Sequence, residues 1–319
     1  MKKALICGVS GQDGGYLAKL LLDKGYQVWG TSRDAQVANF SNLVHLGIRD
    51  RVNVLSMAQN DFRSVLNTLS RAEPDEIYFL SGQSSVGLSF DQPAESIESM
   101  TLGTLNLLEA VRFLAKPMRI YHASSSECFG DVAAGTFANE YTPFRPRSPY
   151  GVAKASAHWL VINYREAYGL FCCNGILFNH ESPLRPARFV TRKIVSTACR
   201  IAAGSEERLT LGRLDIARDW GWAPDFVDAM WRMLQQEQPD DYVIATGKSH
   251  TLESFVAIVF EQLGLDWRAH VDVDTALYRP AEILHSVGDP DKAKQVLGWC
   301  PSLSFSRMIE TLIVVEKKA

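Results

Sequence analysis

The chain has 319 residues, with 33 Lys and Arg against 36 Asp and Glu, which gives a formal net charge of −3. At about 150 residues per domain, this length predicts two domains, or one large α/β unit with a smaller appendage. Hydrophobic residues make up 46% and charged residues 22%, which is typical of a globular protein and excludes disorder, collagen and coiled coil. The negative charge argues against a nucleic-acid partner, because proteins that bind nucleic acid are usually basic.

Six scattered cysteines form no Cys-x-x-Cys pair and no zinc-type cluster with histidine. We therefore expect reduced thiols, no bound metal and a cytoplasmic location. The apolar run at residues 4–7 is followed at once by glycine and polar residues, so it is too short for a signal peptide. No stretch approaches the ~20 apolar residues of a membrane span, so we expect no membrane partner.

Short apolar runs alternate with amphipathic stretches of helical length through the first half. The predicted strands are 4–9, 27–31, 52–55, 76–80 and 119–123, and the predicted helices are 16–24, 63–71, 96–114 and 149–168. This order predicts a mostly parallel sheet with helices on both faces.

Prolines interrupt the pattern after residue 172, although strands at 175–178 and 242–245 and helices at 226–236 and 252–263 are still predicted. The expected architecture is a Rossmann-type doubly wound α/β domain over residues 1–172. A smaller domain that mainly binds substrate is expected over residues 173–319, with some segments returning to the main sheet.

Gly8, Gly11 and Gly14 form a glycine turn directly after the first predicted strand. The glycines allow close approach of a pyrophosphate, and the following helix offers free N–H groups and its positive dipole end. We favour cofactor binding over a purely structural turn. After the second strand, Arg33 is suited to the 2′-phosphate of NADP, while Asp34 beside it keeps NAD open. The alternative for Arg33 is a solvated loop charge.

Tyr150 and Lys154 stand four residues apart, where a Ser-Pro pair begins a predicted helix. A nearby ammonium lowers the pKa of a phenol, so the phenolate can accept a hydroxyl proton as hydride leaves the same carbon. Ser125, at the end of the fifth strand, is either a hydrogen-bond donor to that sugar oxygen or a turn residue. Glu127 indicates proton abstraction next to a carbonyl, because a simple dehydrogenase needs no second acid–base group. The alternative for Glu127 is a surface acid.

The segments that carry these residues resemble the GDP-mannose 4,6-dehydratase family of extended short-chain dehydrogenase/reductases over essentially the whole chain. The matching segments are 8–14, 125–127, 142–154, 175–183, 189–193, 218–221 and 279–282. The most specific match is the Asn-His-Glu-Ser-Pro run at 179–183. By this resemblance the catalytic set is Ser125, which is usually Thr in the family, with Glu127, Tyr150 and Lys154.

The resemblance also extends the binding sites. The expected cofactor-binding residues are Gly8, Gly11, Gln12, Asp13, Gly14, Arg33, Gln83, Tyr150, Lys154, His180 and Arg185. The expected GDP-sugar-binding residues are Asn179, Val190, Lys193, Arg218, Arg279 and Glu282. Arginines and a lysine in this set suit a diphosphate in an otherwise acidic chain.

The implied activity is that of an NADP-dependent hydro-lyase. It converts GDP-mannose into GDP-4-keto-6-deoxymannose by C4 oxidation, loss of water across C5 and C6, and return of hydride to C6. The alternatives are a GDP-4-keto-sugar reductase or epimerase, a dehydratase of another GDP-sugar such as GDP-manno-heptose, and an inactive NADP-sensing protein.

Two departures from the family pattern concern the cofactor and the oligomer. Asp34 and Ala35 stand where the family has paired arginines used for the cofactor phosphate and for tetramer contacts. Ala58 and Gln59 stand where an aspartate is expected near the adenine. We therefore expect NADP with NAD as the alternative. We expect a homodimer through the helices around 105–112 and 150–168, with a homotetramer as the alternative.

Overall fold

A seven-stranded parallel sheet lies at the centre of the molecule. The computed structural model describes residues 1–133 and 135–318. The strands are Lys3–Cys7 (β1), Gln27–Ser32 (β2), Val52–Ser56 (β3), Glu76–Phe79 (β4), Arg119–Ser125 (β5), Cys172–Leu177 (β6), Asn179–Glu181 (β7), Leu209–Leu211 (β8), Ala217–Trp222 (β9), Tyr242–Ile244 (β10), Ser249–Thr251 (β11) and Val271–Val273 (β12). The α-helices are Gln12–Asp23 (α1), Ser41–His45 (α2), Phe62–Ala72 (α3), Val86–Asp91 (α4), Pro93–Ile97 (α5), Gly103–Leu114 (α6), Pro149–Tyr168 (α7), Val190–Ala202 (α8), Ala223–Met233 (α9), Leu252–Gln262 (α10), Asp291–Leu297 (α11) and Phe305–Glu316 (α12).

The main sheet has the strand order β10-β6-β5-β4-β1-β2-β3, and all its neighbouring strands are parallel. The order reverses between β1 and β4, and ligands bind beyond the carboxyl ends of the strands at such a switch point. Helices α1 and α9 bury apolar side chains against one face of the sheet, and α3, α6 and α7 do so against the other. The predicted Rossmann-type doubly wound fold is confirmed.

A third hydrophobic cluster lies in the C-terminal half, where α8, α10 and α12 pack around Trp220 and Phe255. Strands β11, β9 and β7 form one small sheet, and β12 pairs with β8. Strand β10 nevertheless lies in the main sheet beside β6, and β6 itself begins at Cys172. The domain boundary expected after residue 172 remains a prediction.

Helix α7 begins and ends where the sequence predicts it, because both ends carry local signals. The hydroxyl oxygen of Ser148 accepts a hydrogen bond from the Gly151 N–H at 3.0 Å, and Gly169 ends the helix at a φ of +66°. Other helices differ from the prediction, and α9 at Ala223–Met233 begins and ends three residues before the predicted 226–236. Helix α1 already begins at Gln12, and the predicted helix at 96–114 is divided by one wide, π-helical turn over Glu98–Leu102.

Two glycines of the first turn are required by the backbone. Gly8 has a φ of +89°, in the region that favours glycine. A Cβ on Gly14 would lie 2.4 Å from the carbonyl oxygen of Gly8 and 2.7 Å from the Cα of Val9. A side chain at position 14 would therefore separate α1 from β1. The close packing places the free N–H groups of the first turn of α1 beside the carboxyl end of β1.

All six cysteines, which lie within the described residues, are free thiols. Burial raises the pKa of the Cys7, Cys128, Cys172 and Cys173 thiols to about 12, so these four remain protonated. Across residues 1–133 and 135–318, no helix has the length and apolar character needed to cross a bilayer.

Candidate active site

A cleft of about 470 Å³ opens at the carboxyl edge of the main sheet. The predicted site residues that line it are Asp13, Gln83, Ser125, Glu127, Tyr150, Lys154, Asn179, His180, Arg185, Val190, Lys193, Arg218 and Arg279. Among the described residues, the predicted ones outside this lining are Gly8, Gly11, Gln12, Gly14, Arg33 and Glu282. The fold thus brings together side chains that come from β5, α7, β7, α8 and β9.

Lys154 is anchored to the strand that precedes the serines. Its Nζ donates a hydrogen bond to the carbonyl oxygen of Ala123 at 2.7 Å and lies 5.9 Å from the ring centroid of Tyr150. Burial lowers the pKa of Lys154 to about 8. Burial raises the pKa of Tyr150, and hydrogen bonding to Ser125 opposes that rise. In the protein without ligand, burial is the largest influence on the Tyr150 pKa, the Glu127 carboxylate adds to the rise and Arg185 opposes it. The lowering of this pKa by Lys154 together with a bound oxidised nicotinamide stays a prediction.

Glu127 faces two arginines across the cleft. Burial raises the pKa of its carboxyl group, and the charges of Arg218 and Arg279 oppose that rise. The backbone N–H of Glu127 donates to the hydroxyl oxygen of Ser125 at 3.3 Å, at the end of β5. A carboxylate with a raised pKa, half-buried beside a Tyr and Lys pair, is suited both to accept a proton from carbon and to return it to oxygen.

Glu282 does not line the cleft but connects its two arginines. Its Oε1 accepts a hydrogen bond from Nη2 of Arg218 at 2.9 Å and from Nη1 of Arg279 at 3.3 Å. Arg218 is only 5% exposed, so its charge needs this partner. The two guanidinium groups are thereby held side by side, as the binding of a diphosphate requires.

The first turn of α1 is joined to β7 by a buried ion pair. Nε2 of His180 lies 2.9 Å from Oδ2 of Asp13, and its Nδ1 lies 2.7 Å from the carbonyl oxygen of Phe178. Burial opposes both charges, yet their mutual attraction outweighs it. The pKa of His180 is therefore raised and that of Asp13 is lowered. The His180 ring also stacks on Phe226, with centroids 4.4 Å apart.

The glycine turn fits a dinucleotide. The contact between Gly14 and Gly8 leaves a cradle that a Cβ would fill, and the adjacent helix end offers unpaired N–H groups to a pyrophosphate. Gln83 and Arg185 also line the cleft. Arg33 is exposed just after β2, at the strand end where the adenosine ribose lies in such folds.

The second half of the cleft is walled by β7 and the first turn of α8. Asn179 is the first residue of β7, and Val190 and Lys193 lie in the first turn of α8. Nζ of Lys193 donates a hydrogen bond to the carbonyl oxygen of Thr210 at 2.7 Å. This arrangement adds one cation and a carboxamide to the lining of the cleft.

Several residues of the cleft wall were not predicted. Glu181, Phe189 and Thr191 lie in segments that match the family pattern, and this was the available signal for them. Arg188 had no such signal. Its Nη2 lies 3.3 Å from the hydroxyl oxygen of Ser84 on the opposite rim, a contact that only the folded chain reveals.

Known proteins are similar in sequence to this chain over nearly its whole length. A family model described as GDP-mannose 4,6 dehydratase matches residues 5–312. GDP-mannose 4,6 dehydratase 2 of Arabidopsis thaliana is 46% identical over 322 aligned residues, covering 98% of this chain and 86% of the relative. The GDP-mannose 4,6 dehydratase of Homo sapiens is 42% identical, covering 97% of this chain and 90% of the relative.

Solved structures share the fold. UDP-glucose 4-epimerase of Thermus thermophilus, in complex with NAD, superposes with a TM-score of 0.86 at 26% identity and covers 99% of each chain. RMD of Pseudomonas aeruginosa, complexed with NADPH, superposes with a TM-score of 0.81 at 22% identity. It covers 100% of this chain and 99% of its own.

The pair of Asp13 and His180 predicts a pH-dependent contribution to stability. Because the pKa of His180 is raised, its contribution is complete below the unfolded value of about 6.5 and is lost as the pH rises through the folded value. We expect Asp13→Asn to lower the free energy of unfolding by roughly 1–3 kcal/mol at pH 6, and by less at pH 8.5. Urea denaturation of both proteins at the two pH values measures this.

Asp61→Asn is the matched control for this measurement. Asp61 caps α3 by accepting a hydrogen bond from the Arg63 N–H at 2.9 Å, and asparagine caps about as well. The control should lose little stability, and by the same amount at both pH values. An Asp13→Asn effect that is equal at pH 6 and pH 8.5 would contradict a protonated His180.

Proposed function

The chain belongs to the GDP-mannose 4,6-dehydratase family, and we propose that it converts GDP-mannose into GDP-4-keto-6-deoxymannose with a nicotinamide dinucleotide as cofactor. The observation that carries this proposal is the position of Glu127. Its carboxyl group shares one cleft with Tyr150 and Lys154 and faces Arg218 and Arg279. A site that only transferred hydride would need the tyrosine and lysine but no second acid–base group.

Tyr150 is the base for the first step. It accepts the proton of the C4 hydroxyl group, while Ser125 donates a hydrogen bond to the same oxygen. A bound oxidised nicotinamide would supply the hydride acceptor for C4 and, once reduced, the hydride donor for C6, and its positive charge would favour the phenolate of Tyr150. Lys154, held by the Ala123 carbonyl, keeps a positive charge behind the tyrosine.

Glu127 carries out the elimination. The C4 ketone acidifies the C5 proton, and the Glu127 carboxylate accepts it. The same carboxyl group then gives that proton to the C6 hydroxyl, so that water leaves and a C5–C6 double bond forms. As hydride reaches C6, Tyr150 returns to C5 the proton that it took from the C4 oxygen. No proton is gained or lost overall, and the product differs from the substrate by one water.

The arginine pair binds the diphosphate. Arg218 and Arg279 are aligned by Glu282, and Asn179, Val190 and Lys193, which line the same cleft, bind the remainder of the GDP-sugar. In this assignment residues 1–172 hold mainly the cofactor, and residues 173–319 supply most contacts to the GDP-sugar. The neutral ion pair of Asp13 and His180, with Gln12, Gln83 and Arg185, lies on the cofactor side.

Glu127→Gln tests the proposal directly. Glutamine keeps the shape of the side chain but cannot accept the C5 proton, whereas Tyr150 and Lys154 remain. We expect the variant to oxidise C4 of GDP-mannose and then stop, so that bound reduced cofactor absorbs near 340 nm and no 6-deoxy product forms. In deuterated solvent the parent should exchange the C5 proton, and the variant should not. Mass spectrometry of the nucleotide sugar measures the loss of water and the incorporation of deuterium at C5.

Glu140→Gln is the control for this variant. Glu140 is also a partly buried carboxyl group with a pKa raised by burial, but it accepts a hydrogen bond from the Val243 N–H at 2.7 Å, outside the cleft. Its variant should dehydrate GDP-mannose like the parent. Dehydration by Glu127→Gln at the parent's rate would make Glu127 structural and favour a reductase or epimerase. Dehydration of another GDP-sugar, such as GDP-manno-heptose, in place of GDP-mannose would change the substrate but keep the chemistry.

The cofactor is proposed to be NADP. Arg33 is exposed at the end of β2 and offers a guanidinium group to a 2′-phosphate. We expect the parent to bind NADPH more tightly than NADH. Arg33→Ala should raise the Kd for NADPH by roughly 10- to 150-fold, as for a lost charged hydrogen bond, and leave the Kd for NADH unchanged. Arg71→Ala, at an exposed arginine of α3, should change neither. Calorimetric titration showing equal or tighter NADH binding would favour NAD.

A homodimer is proposed through one face of α6 and α7. Trp159 is 59% exposed and Val152 is 48% exposed on α7, and Leu102 beside the start of α6 is 38% exposed. Apolar side chains grouped on adjacent helices are typical of a protein interface. Sedimentation velocity should give twice the chain mass for the parent and a monomer for Trp159→Glu, while Phe137→Glu should remain a dimer. A tetramer that survives Trp159→Glu would place the main interface elsewhere.

A further inference from the structure

Glu181 is a buried carboxylate that the reaction above does not use. It ends β7 and is only 2% exposed. Its Oε2 accepts a hydrogen bond from the Thr191 hydroxyl at 2.6 Å and lies 3.3 Å from Nε of Arg185. A buried charge is costly unless it is paired. Both partners of Glu181 belong to the wall of the cleft.

Arg185 has a close neighbour on each of two sides, although its buried Nε makes no hydrogen bond within the described residues. Glu181 contacts one side of its guanidinium group, and the other side stacks on Phe189, whose ring centroid lies 3.8 Å from Cζ. The side chain is only 17% exposed, yet it lines the cleft near Asp13 and His180. A guanidinium group held in this way loses little conformational freedom when an anion binds.

We propose that Glu181 is a positioning residue, which holds the Arg185 guanidinium group in the orientation that binds an anionic dinucleotide cofactor. The inference rests on the proposed function, in which Arg185 contacts the cofactor. The Thr191 hydroxyl bond fixes the carboxylate from the first turn of α8. Glu181, at the end of β7, thus contacts both Arg185 and the first turn of α8.

Positioning and simple electrostatics predict opposite results when the charge of Glu181 is removed. Glu181 is a negative charge beside a cation that binds an anion. Its removal would by itself strengthen the attraction for the cofactor. If Glu181 holds Arg185 in place, its removal frees the guanidinium group and weakens binding. The sign of the change in affinity therefore separates the two explanations.

The experiment is a double-mutant cycle on the full chain, with fluorescence titration of NADPH and NADH in parallel. Glutamine in Glu181→Gln keeps an oxygen for the Thr191 hydroxyl but loses the charge that holds Arg185. We expect Glu181→Gln to raise the Kd of the preferred cofactor about tenfold, and Arg185→Ala at least as much. The double variant should bind no more weakly than Arg185→Ala alone, because Glu181 acts through Arg185.

Two further variants isolate the contacts. Thr191→Val removes only the hydroxyl that donates to Glu181, and it should raise the cofactor Kd by less than Glu181→Gln does, because the charge beside Arg185 remains. Phe189→Leu removes the stacking face without touching the buried carboxylate. It should raise the Kd severalfold even if Glu181→Gln folds poorly by circular dichroism.

The inference is overturned if Glu181→Gln leaves the Kd unchanged or lowers it. Additive effects of Glu181→Gln and Arg185→Ala, or a Phe189→Leu Kd equal to the parent's, overturn it as well. Loss of water from GDP-mannose is measured separately on the parent. A parent that binds a cofactor but forms no 6-deoxy product contradicts the proposed function and leaves this inference standing. A parent that binds neither NADPH nor NADH overturns this inference.

Discussion

The ion pair between Asp13 and His180 is the contact on which the cleft depends. The two residues lie 167 positions apart in the chain, one in the first turn of the cofactor helix and the other in β7. Neighbouring hydrogen bonds reinforce the pair, because Gln12 donates to the His180 carbonyl at 3.2 Å and accepts from the Ser182 hydroxyl at 2.7 Å. Together these bonds set the glycine turn against the strand that leads into the second half of the site. Both halves of the cleft therefore share one wall.

The same wall shows how an acidic protein holds anionic ligands. The net charge of −3 gives no general attraction for a nucleotide, so individual cations must supply it. Three of the cations in this cleft are paired with carboxylates: Arg218 and Arg279 with Glu282, and Arg185 with Glu181. Such pairing offsets part of the cost of burying each charge and fixes its direction. Affinity then comes from the orientation of a few groups.

The chemistry depends on a second set of constraints, between β5 and α7. The hydrogen bond from Lys154 to the Ala123 carbonyl at 2.7 Å anchors the helix face that carries Tyr150 to the strand that ends at Ser125. Burial is the dominant influence on each of these groups, since it raises the pKa of Tyr150 and of Glu127 and lowers that of Lys154 to about 8. Burial thus disfavours the charged form of all three groups, and the charges and hydrogen bonds around them act against or with this influence.

The sequence by itself determined the features that depend on neighbours in the chain. The alternation of strands and helices, the glycine turn, the Ser148 cap of α7 and the spacing of Tyr150 and Lys154 are all local patterns, and the structure has each of them. Of the nineteen site residues named from these patterns and from the resemblance to a family, thirteen line the cleft. Local patterns were less exact for α1, which already begins at Gln12, because its glycine-rich start has low helix propensity and is held in place by packing on β1.

Only the tertiary structure decided which partner each charged group has. The sequence did not indicate that Asp13 pairs with His180. It also did not indicate that Glu282 joins two arginines. Glu181 lies in the most specific matching segment, 179–183, yet nothing in the sequence indicated that it contacts Arg185 and Thr191. The pKa shifts have the same origin, because burial depends on everything that packs around a group. The physical reason is that these contacts join segments placed by the packing of the whole sheet, and no local periodicity records that packing.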